Sequence, residues 1–191
     1  MSSSGVRMIV GKQLTTGPFS SEEFDLYEIR MIGYGLWGGR VFRLIAKDGS
    51  NVRTIKVYYS RNELEDDLRA FEVLRMVFAE SEFIEIASVR DLGGLKLEIQ
   101  NIYGDTLENS RKRGEVGSVE DWNKYLLQLP FLESELRRRF RGNVIFRYYT
   151  DAAPSLSAYI ESAKTMIWFK SDGIIVNANN PQARKLLIDP H

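Results

Sequence analysis

The sequence contains a glycine-rich segment that is followed at a distance by a lysine. Together these residues provide groups that bind phosphates in other proteins. The segment includes Gly33, Gly35, Gly38 and Gly39, and Lys56 follows it. Glycines let backbone N–H groups approach a phosphate closely, because no side chain stands in the way. An ammonium group on a following strand can reach the same phosphates as a point charge. The spacing predicts a phosphate site, and the alternative is a plain hairpin turn with a solvent-facing lysine.

Composition excludes several classes of site. The chain has 191 residues, 26 basic and 26 acidic side chains, no cysteine and a single histidine, His191. Disulfides, zinc–thiolate sites and thiol nucleophiles are therefore excluded, and so is a Ser-His-Asp triad or a multi-histidine metal site. The balanced charge gives no argument for nucleic acid as a partner.

The hydropathy pattern predicts a soluble protein. No apolar run approaches the roughly 20 residues that a membrane span needs. The start, Met1-Ser2-Ser3-Ser4-Gly5, lacks the apolar core of a secretory signal. We therefore expect a cytoplasmic protein in a reducing compartment, without membrane association.

The sequence around the glycine segment and Lys56 predicts an α+β fold. A loose lead-in covers residues 1–22, and a sheet-and-helix region covers 23–104. Alternating apolar residues and tight turns predict a five-stranded antiparallel sheet with one packed helix. Its strands are expected at 24–32, 40–47, 52–59, 83–89 and 95–102, and its helix, capped by Asn62, at 61–80.

A smaller α+β region is predicted for residues 105–191. Short helical turns are expected at 106–113 and 181–187, and short strands at 144–149, 165–169 and 174–176. A longer helix should begin at Ser118 and be kinked or interrupted at Pro130. Near its end Arg137, Arg138, Arg139 and Arg141 form a basic cluster. This cluster is either a solvated helix end or a site for a phosphate or an acidic partner.

The order of elements up to residue 102 resembles the N-terminal lobe of protein kinases. The glycine turn is similar to the family's phosphate-covering loop, although Val41 arrives one residue late unless Gly39 serves as the third glycine. Lys56, in Val52-Arg53-Thr54-Ile55-Lys56, looks like the lysine of the V-A-I-K strand. The resemblance implies a helix carboxylate paired with Lys56, which we assign to Glu72, with Glu65 as the alternative. It also implies a hinge near residues 101–103 and ATP as the ligand.

The catalytic half of the resemblance can be aligned in two registers. In the first, Asp151 is the catalytic aspartate, while Tyr149 replaces the histidine and Leu156 replaces the metal-binding asparagine. In the second, Trp168 stands where the catalytic aspartate belongs, and Asp189 is the metal-binding aspartate. We prefer the first register because it follows the long helix directly. Both registers lose essential groups, and magnesium requires oxygen ligands that leucine cannot supply.

These observations predict a kinase-like module without ordinary phosphotransfer activity. It would bind nucleotide, or only present a surface to a protein partner or a second copy. One alternative is a non-enzymatic interaction or scaffold protein of an unrelated α+β fold. Another is an active atypical phosphotransferase that uses Asp151 or Asp189 in a rearranged site.

Overall fold

The structure is a computed structural model that describes residues 17–34, 39–101, 104–115, 117–150, 153–177 and 184–190. Over these residues the helices are α1 (Ser21–Leu26), α2 (Arg61–Val77), α3 (Leu107–Lys112) and α4 (Ser118–Phe140). The strands are β1 (Tyr27–Tyr34), β2 (Arg40–Ala46), β3 (Val52–Val57), β4 (Ile84–Ile86), β5 (Val89–Gly93), β6 (Lys96–Ile99), β7 (Gly104–Thr106), β8 (Val144–Tyr149), β9 (Ser155–Ile160), β10 (Thr165–Phe169), β11 (Ile174–Asn177) and β12 (Lys185–Leu187).

The predicted fold class is confirmed by a five-stranded antiparallel sheet with the order β1-β2-β3-β6-β5. Successive side chains of a strand point to opposite faces, so each face of this sheet buries its own apolar set. One face packs on Phe19, with Ile29 and Phe42 fully covered. The other face packs on α2 through Leu97 and Phe71.

Helix α2 begins one residue after its cap, and that cap is Ser60 rather than the predicted Asn62. The Ser60 hydroxyl accepts from the backbone N–H of Glu63, and the Glu63 carboxylate accepts from the backbone N–H of Ser60. This reciprocal capping box satisfies two backbone donors of the first turn, which one asparagine side chain at position 62 could not do. The helix ends at Val77, three residues before the predicted boundary.

Two strand predictions are wrong in their bounds. Residues 24–26 belong to helix α1, because Ser20 and Glu23 form a second capping box. The predicted strand at 83–89 is divided: Ile84–Ile86 pairs with β12 in a different sheet, and Val89–Gly93 forms the hairpin with β6. The tight turn at Gly93 and Gly94 closes that hairpin with positive φ angles, as the sequence indicates.

The second half of the chain contributes two small sheets and the longest helix. Strands β8, β9 and β10 form an antiparallel sheet in the order β10-β9-β8, and the other sheet has the order β4-β12-β11-β7. The strands predicted near 144, 165 and 174 are confirmed, whereas β9 was not predicted. Residues 185–187 are a strand and not a helical turn, since β12 is held between β4 and β11.

Helix α4 runs through Pro130 without the predicted interruption. Its buried side chains Tyr125, Leu132 and Leu136 pack on the inner face of the β8–β10 sheet, and this contact holds the helix across the proline. The same core includes Leu74 of α2, so α2 packs on both halves of the chain. No helix among the described residues is long and apolar enough to cross a membrane.

Candidate functional site

The Lys56 ammonium lies at the centre of a buried charged cluster between β3 and α2. The residue is only 4% exposed. Ile55 and Val57 face the opposite side of the sheet, so strand alternation turns Lys56 toward α2. Its Nζ donates to Asp67 Oδ2 at 2.7 Å and lies 3.6 Å from Asp189 Oδ1. The alternative of a solvent-facing lysine is therefore wrong, and Lys56 faces two carboxylates.

Tyr58 completes the cluster from the residue after β3. Its hydroxyl donates to the same Asp67 oxygen that accepts from Lys56. Burial raises the pKa of the Tyr58 phenol far above its ordinary value, and the neighbouring Asp67 carboxylate raises this pKa further. Burial alone would lower the pKa of Lys56, but the Asp189 and Asp67 carboxylates more than offset that effect and raise it. The folded protein therefore favours the protonated form of both groups.

We expect the free energy of unfolding to fall as the pH rises above about 10, the ordinary pKa of tyrosine and lysine. The pKa values of Lys56 and Tyr58 are raised in the folded state. The unfolded state consequently loses these protons first, and stability that is complete below pH 10 declines above it. Urea unfolding between pH 8 and pH 11 measures the decline.

In the same measurements, Tyr58→Phe should make the alkaline loss of stability shallower, because it removes one of the two linked groups. Tyr59→Phe is the control for loss of a tyrosine, since its side chain is 63% exposed. An unchanged alkaline profile in Tyr58→Phe would contradict the linkage.

The helix carboxylate that pairs with Lys56 is Asp67, and the assignment to Glu72 is wrong. Asp67 is 1% exposed, whereas Glu72 is exposed on α2. The two residues are five positions apart, which places them far apart around a helix of 3.6 residues per turn. The alternative, Glu65, pairs instead with Arg61 and Arg69 on the same helix.

The sequence contains a signal for Asp67 that the prediction did not use. Asp67 lies three residues after Leu64 and four before Phe71, both fully buried, so it occupies the apolar stripe of α2. A carboxylate in a buried stripe requires a partner, because an isolated buried charge is very costly. A lysine on the strand that precedes the helix is a candidate for that partner.

The glycine turn is described only at its two ends. Gly35 and Gly38 lie outside the described residues, and so do residues 102–103 of the predicted hinge. Gly33 lies in β1 beside an irregularity in the β1–β2 register. Val41 is paired with Lys56 across β2 and β3, so the end of the turn lies next to the charged cluster.

Gly39 has a structural reason to be glycine. Its φ is +82°, and a Cβ there would lie 2.1 Å from the carbonyl oxygen of Val57. No side chain can be accommodated at that distance from a backbone atom. The close approach fixes the start of β2 against the end of β3, beside Lys56.

Asp189 reaches the cluster from the C-terminal end of β12. The Ile188 N–H donates to the Gly173 carbonyl at 2.9 Å, which fixes the backbone immediately before Asp189. A Cβ on Gly173 would lie 2.8 Å from the Asp189 carbonyl oxygen, so this glycine permits the close approach. The Asp189 side chain is 38% exposed, so solvent reaches this carboxylate in a cluster that is otherwise buried.

The described residues of the first catalytic register lie in the β8–β9 hairpin and not in this cluster. Asp151 lies outside the described residues. The residues on either side, Tyr149 and Ser155, are paired across the β8–β9 hairpin, and Leu156 is fully buried in the core. The segment after the long helix is thus a hairpin of the small sheet.

The described residues contain no cluster of metal ligands, and three arginines of the predicted basic cluster are paired. No group of three or more metal-ligating side chains occurs among the described residues. In the basic cluster, Arg137 pairs with Glu133, and Arg138 and Arg139 pair with Glu135, all within α4. These pairs favour the interpretation of a solvated helix end over that of a phosphate site.

The charged cluster joins a strand, a helix and the segment after β12. Gly39 lies against Val57, next to Lys56, and Gly173 lies against Asp189, in both cases too close for a Cβ. No family model and no curated protein matches this chain.

Proposed function

We propose that this chain is a kinase-like module that binds nucleotide, lacks ordinary phosphotransfer activity and acts through a protein partner. The observation that carries the proposal is the buried Lys56, which lies within 4 Å of a helix carboxylate and of Asp189. The strand order β1-β2-β3-β6-β5, with α2 inserted after β3, also supports it. Both features agree with what the resemblance implies for a lysine, a helix partner and a metal-binding aspartate.

We assign the catalytic half in the second register, because Asp189 lies beside Lys56. Asp189 is the metal-binding aspartate of that register, and it lies 3.6 Å from the Lys56 ammonium. The pattern H-R-D-L-x-x-x-N then places Trp168 at the aspartate and Gly173 at the asparagine. An indole cannot accept a proton from a substrate hydroxyl, and glycine has no side chain to hold a metal ion. Absence of phosphotransfer follows from these two positions.

A nucleotide would be held by few groups of this chain. Lys56 would supply the cation for the phosphates, and Asp189 would supply the accessible carboxylate for one magnesium ion. The exposure of Asp189 fits such a role, since a carboxylate that binds a ligand must be reachable from solvent.

Thermal unfolding with ATP, with and without magnesium, tests the nucleotide part of the proposal. ATP at about 100 times its Kd should stabilise the protein by about 2.7 kcal/mol, which is roughly 5–11 °C in Tm for a domain of this size. Asp189→Asn should lose the part of the shift that depends on magnesium. Asp172→Asn is the matched control, because Asp172 is an exposed aspartate near the same backbone turn.

Two results would count against the proposal, each against a different part. No thermal shift with ATP would remove nucleotide binding. Transfer of phosphate to the protein itself or to a generic substrate, lost in Asp189→Asn and retained in Asp172→Asn, would replace it with the active atypical phosphotransferase.

A further inference from the structure

A wide cleft separates α2 from the outer face of the β8–β9–β10 sheet. Its volume is about 920 Å³. The inner face of this sheet packs on α4, while the alternate residues of each strand line the cleft. We call this space the sheet cleft and its two sides the sheet floor and the α2 wall.

The sheet floor carries a row of large apolar side chains that remain exposed. Ile145 is paired with Tyr159, and Tyr159 is paired with Met166, so the three lie side by side across the strands. They are 64%, 40% and 46% exposed. The next row holds Trp168, whose indole lies 5.4 Å from the Tyr149 ring. A contiguous exposed apolar surface of this kind is typical of an interaction site.

The acidic side chains of the cleft lie on the α2 wall, whereas two exposed cations lie on the sheet floor. On the α2 wall, Asp67 binds Lys56, Asp66 lies 3.6 Å from Arg69, and Glu63 accepts from the backbone at the helix cap. On the sheet floor, Arg147 and Lys164 form no ion pair with any described residue. Their positive charge therefore lies beside the apolar row, while the carboxylates lie on the α2 wall.

We infer that the sheet cleft binds a partner protein through an acidic peptide segment with apolar anchors. Apolar side chains of the segment would cover Ile145, Tyr159 and Met166. Its carboxylates would pair with Arg147 and Lys164, since opposite charges set orientation and register at such a surface. This inference deepens the proposed function, because it rests on action through a protein partner and names the chemistry of that partner.

An acidic peptide fits the cleft better than a single-stranded nucleic acid. Aromatic side chains and cations on a sheet can stack bases and hold phosphates. A nucleic acid carries a charge at every phosphate, however, and the carboxylates of the α2 wall face the same space. A peptide can place its few carboxylates next to Arg147 and Lys164 alone.

Fluorescence anisotropy with two labelled peptides tests the inference. One peptide alternates aspartate with leucine and phenylalanine, and the other has lysine at every aspartate. The acidic peptide should bind at least about tenfold more tightly, and Arg147→Glu with Lys164→Glu should reverse that preference. The control is Lys124→Glu with Arg138→Glu, which changes the net charge equally at exposed positions of α4.

A second pair of changes tests the apolar row. Tyr159→Ser with Met166→Ser should weaken binding of the acidic peptide by about tenfold or more, and both positions are exposed enough to leave the fold intact. Equal binding of the two peptides, or an unchanged preference in the Arg147 and Lys164 variant, would overturn the inference. Tighter binding of oligo(dT), or dimerisation that the Tyr159 and Met166 changes abolish, would overturn it in favour of another occupant.

A negative result for peptide binding in the sheet cleft can be distinguished from a negative result for ATP binding. The ATP shift measured on the variant with Arg147→Glu and Lys164→Glu should equal that of the unaltered protein. A retained ATP shift without peptide preference would reject the partner chemistry alone.

Discussion

Lys56→Met is expected to lower the free energy of unfolding by about 3–5 kcal/mol, because it removes the cation from a buried ion pair. Asp67 would keep its hydrogen bond from Tyr58 but lose the ammonium group at 2.7 Å, in a site that is 1% exposed. A buried carboxylate without its countercharge is among the costliest defects in a core. Urea unfolding monitored by circular dichroism measures the loss.

Two further variants show whether the loss comes from the charge. Lys56→Met combined with Asp67→Asn should recover much of the stability, since the neutral amide needs no cation. Lys96→Met is the matched control on the neighbouring strand β6, where the lysine pairs with Glu23 at 3.1 Å but is partly exposed. There we expect a loss of about 1 kcal/mol or less. A Lys56→Met loss as small as that of Lys96→Met would contradict the buried pair.

Gly39→Ala is expected to destabilise the protein by about 2–5 kcal/mol, the combined cost of a left-handed backbone for a non-glycine residue and of overpacking. The added Cβ would lie 2.1 Å from the Val57 carbonyl oxygen, so β2 and β3 would have to separate beside Lys56. Separation of these strands should also weaken the ATP shift, since both Val41 and Lys56 would move.

Gly33→Ala is the control at the other end of the same turn, because a Cβ there would meet nothing within 4 Å. Its effect on the free energy of unfolding should be within about 1 kcal/mol, the size of the ordinary glycine-to-alanine effect. Equal losses in Gly33→Ala and Gly39→Ala would show that the close approach to Val57 is not what selects glycine at position 39.

The glycines of the turn have two predicted roles, a backbone turn and phosphate binding, and the structure explains only the first. Glycine at position 39 is explained by backbone packing, without reference to a ligand. The residues between Gly33 and Gly39 that would contact phosphate are not described, so phosphate binding stays a prediction. The position of Val41 next to Lys56 nevertheless puts the end of the turn beside the cluster, as a phosphate-covering loop requires.

The two halves of the chain contribute different groups to the charged cluster. The first half provides Lys56, Tyr58 and Asp67 from elements close together in sequence. The second half provides Asp189 and the sheet floor of the cleft, and α2 of the first half provides its wall. Because α2 carries Asp67 and also lines the cleft, a partner bound there would lie directly against the charged cluster.

Local sequence patterns are sufficient to predict β2, β3 and α2 and the faces that they bury. Period-two alternation predicted β2 and β3, and the apolar stripe with Leu64 and Phe71 predicted α2. These patterns are set by backbone geometry, which repeats every two residues in a strand and every 3.6 in a helix. The same patterns placed Lys56 on a strand next to a helix that carries carboxylates.

The carboxylates that contact Lys56 are selected by packing between distant parts of the chain. The predicted partner is Glu72 and the observed partner is Asp67. The contact with Asp189 depends on β12 pairing in parallel with β4, far from it in sequence. Parallel pairing between distant strands leaves no local periodic signal, since its register is set by packing and not by the turn between the strands. The exposed row on the β8–β10 sheet is likewise a tertiary result, because the inner face was chosen by contact with α4.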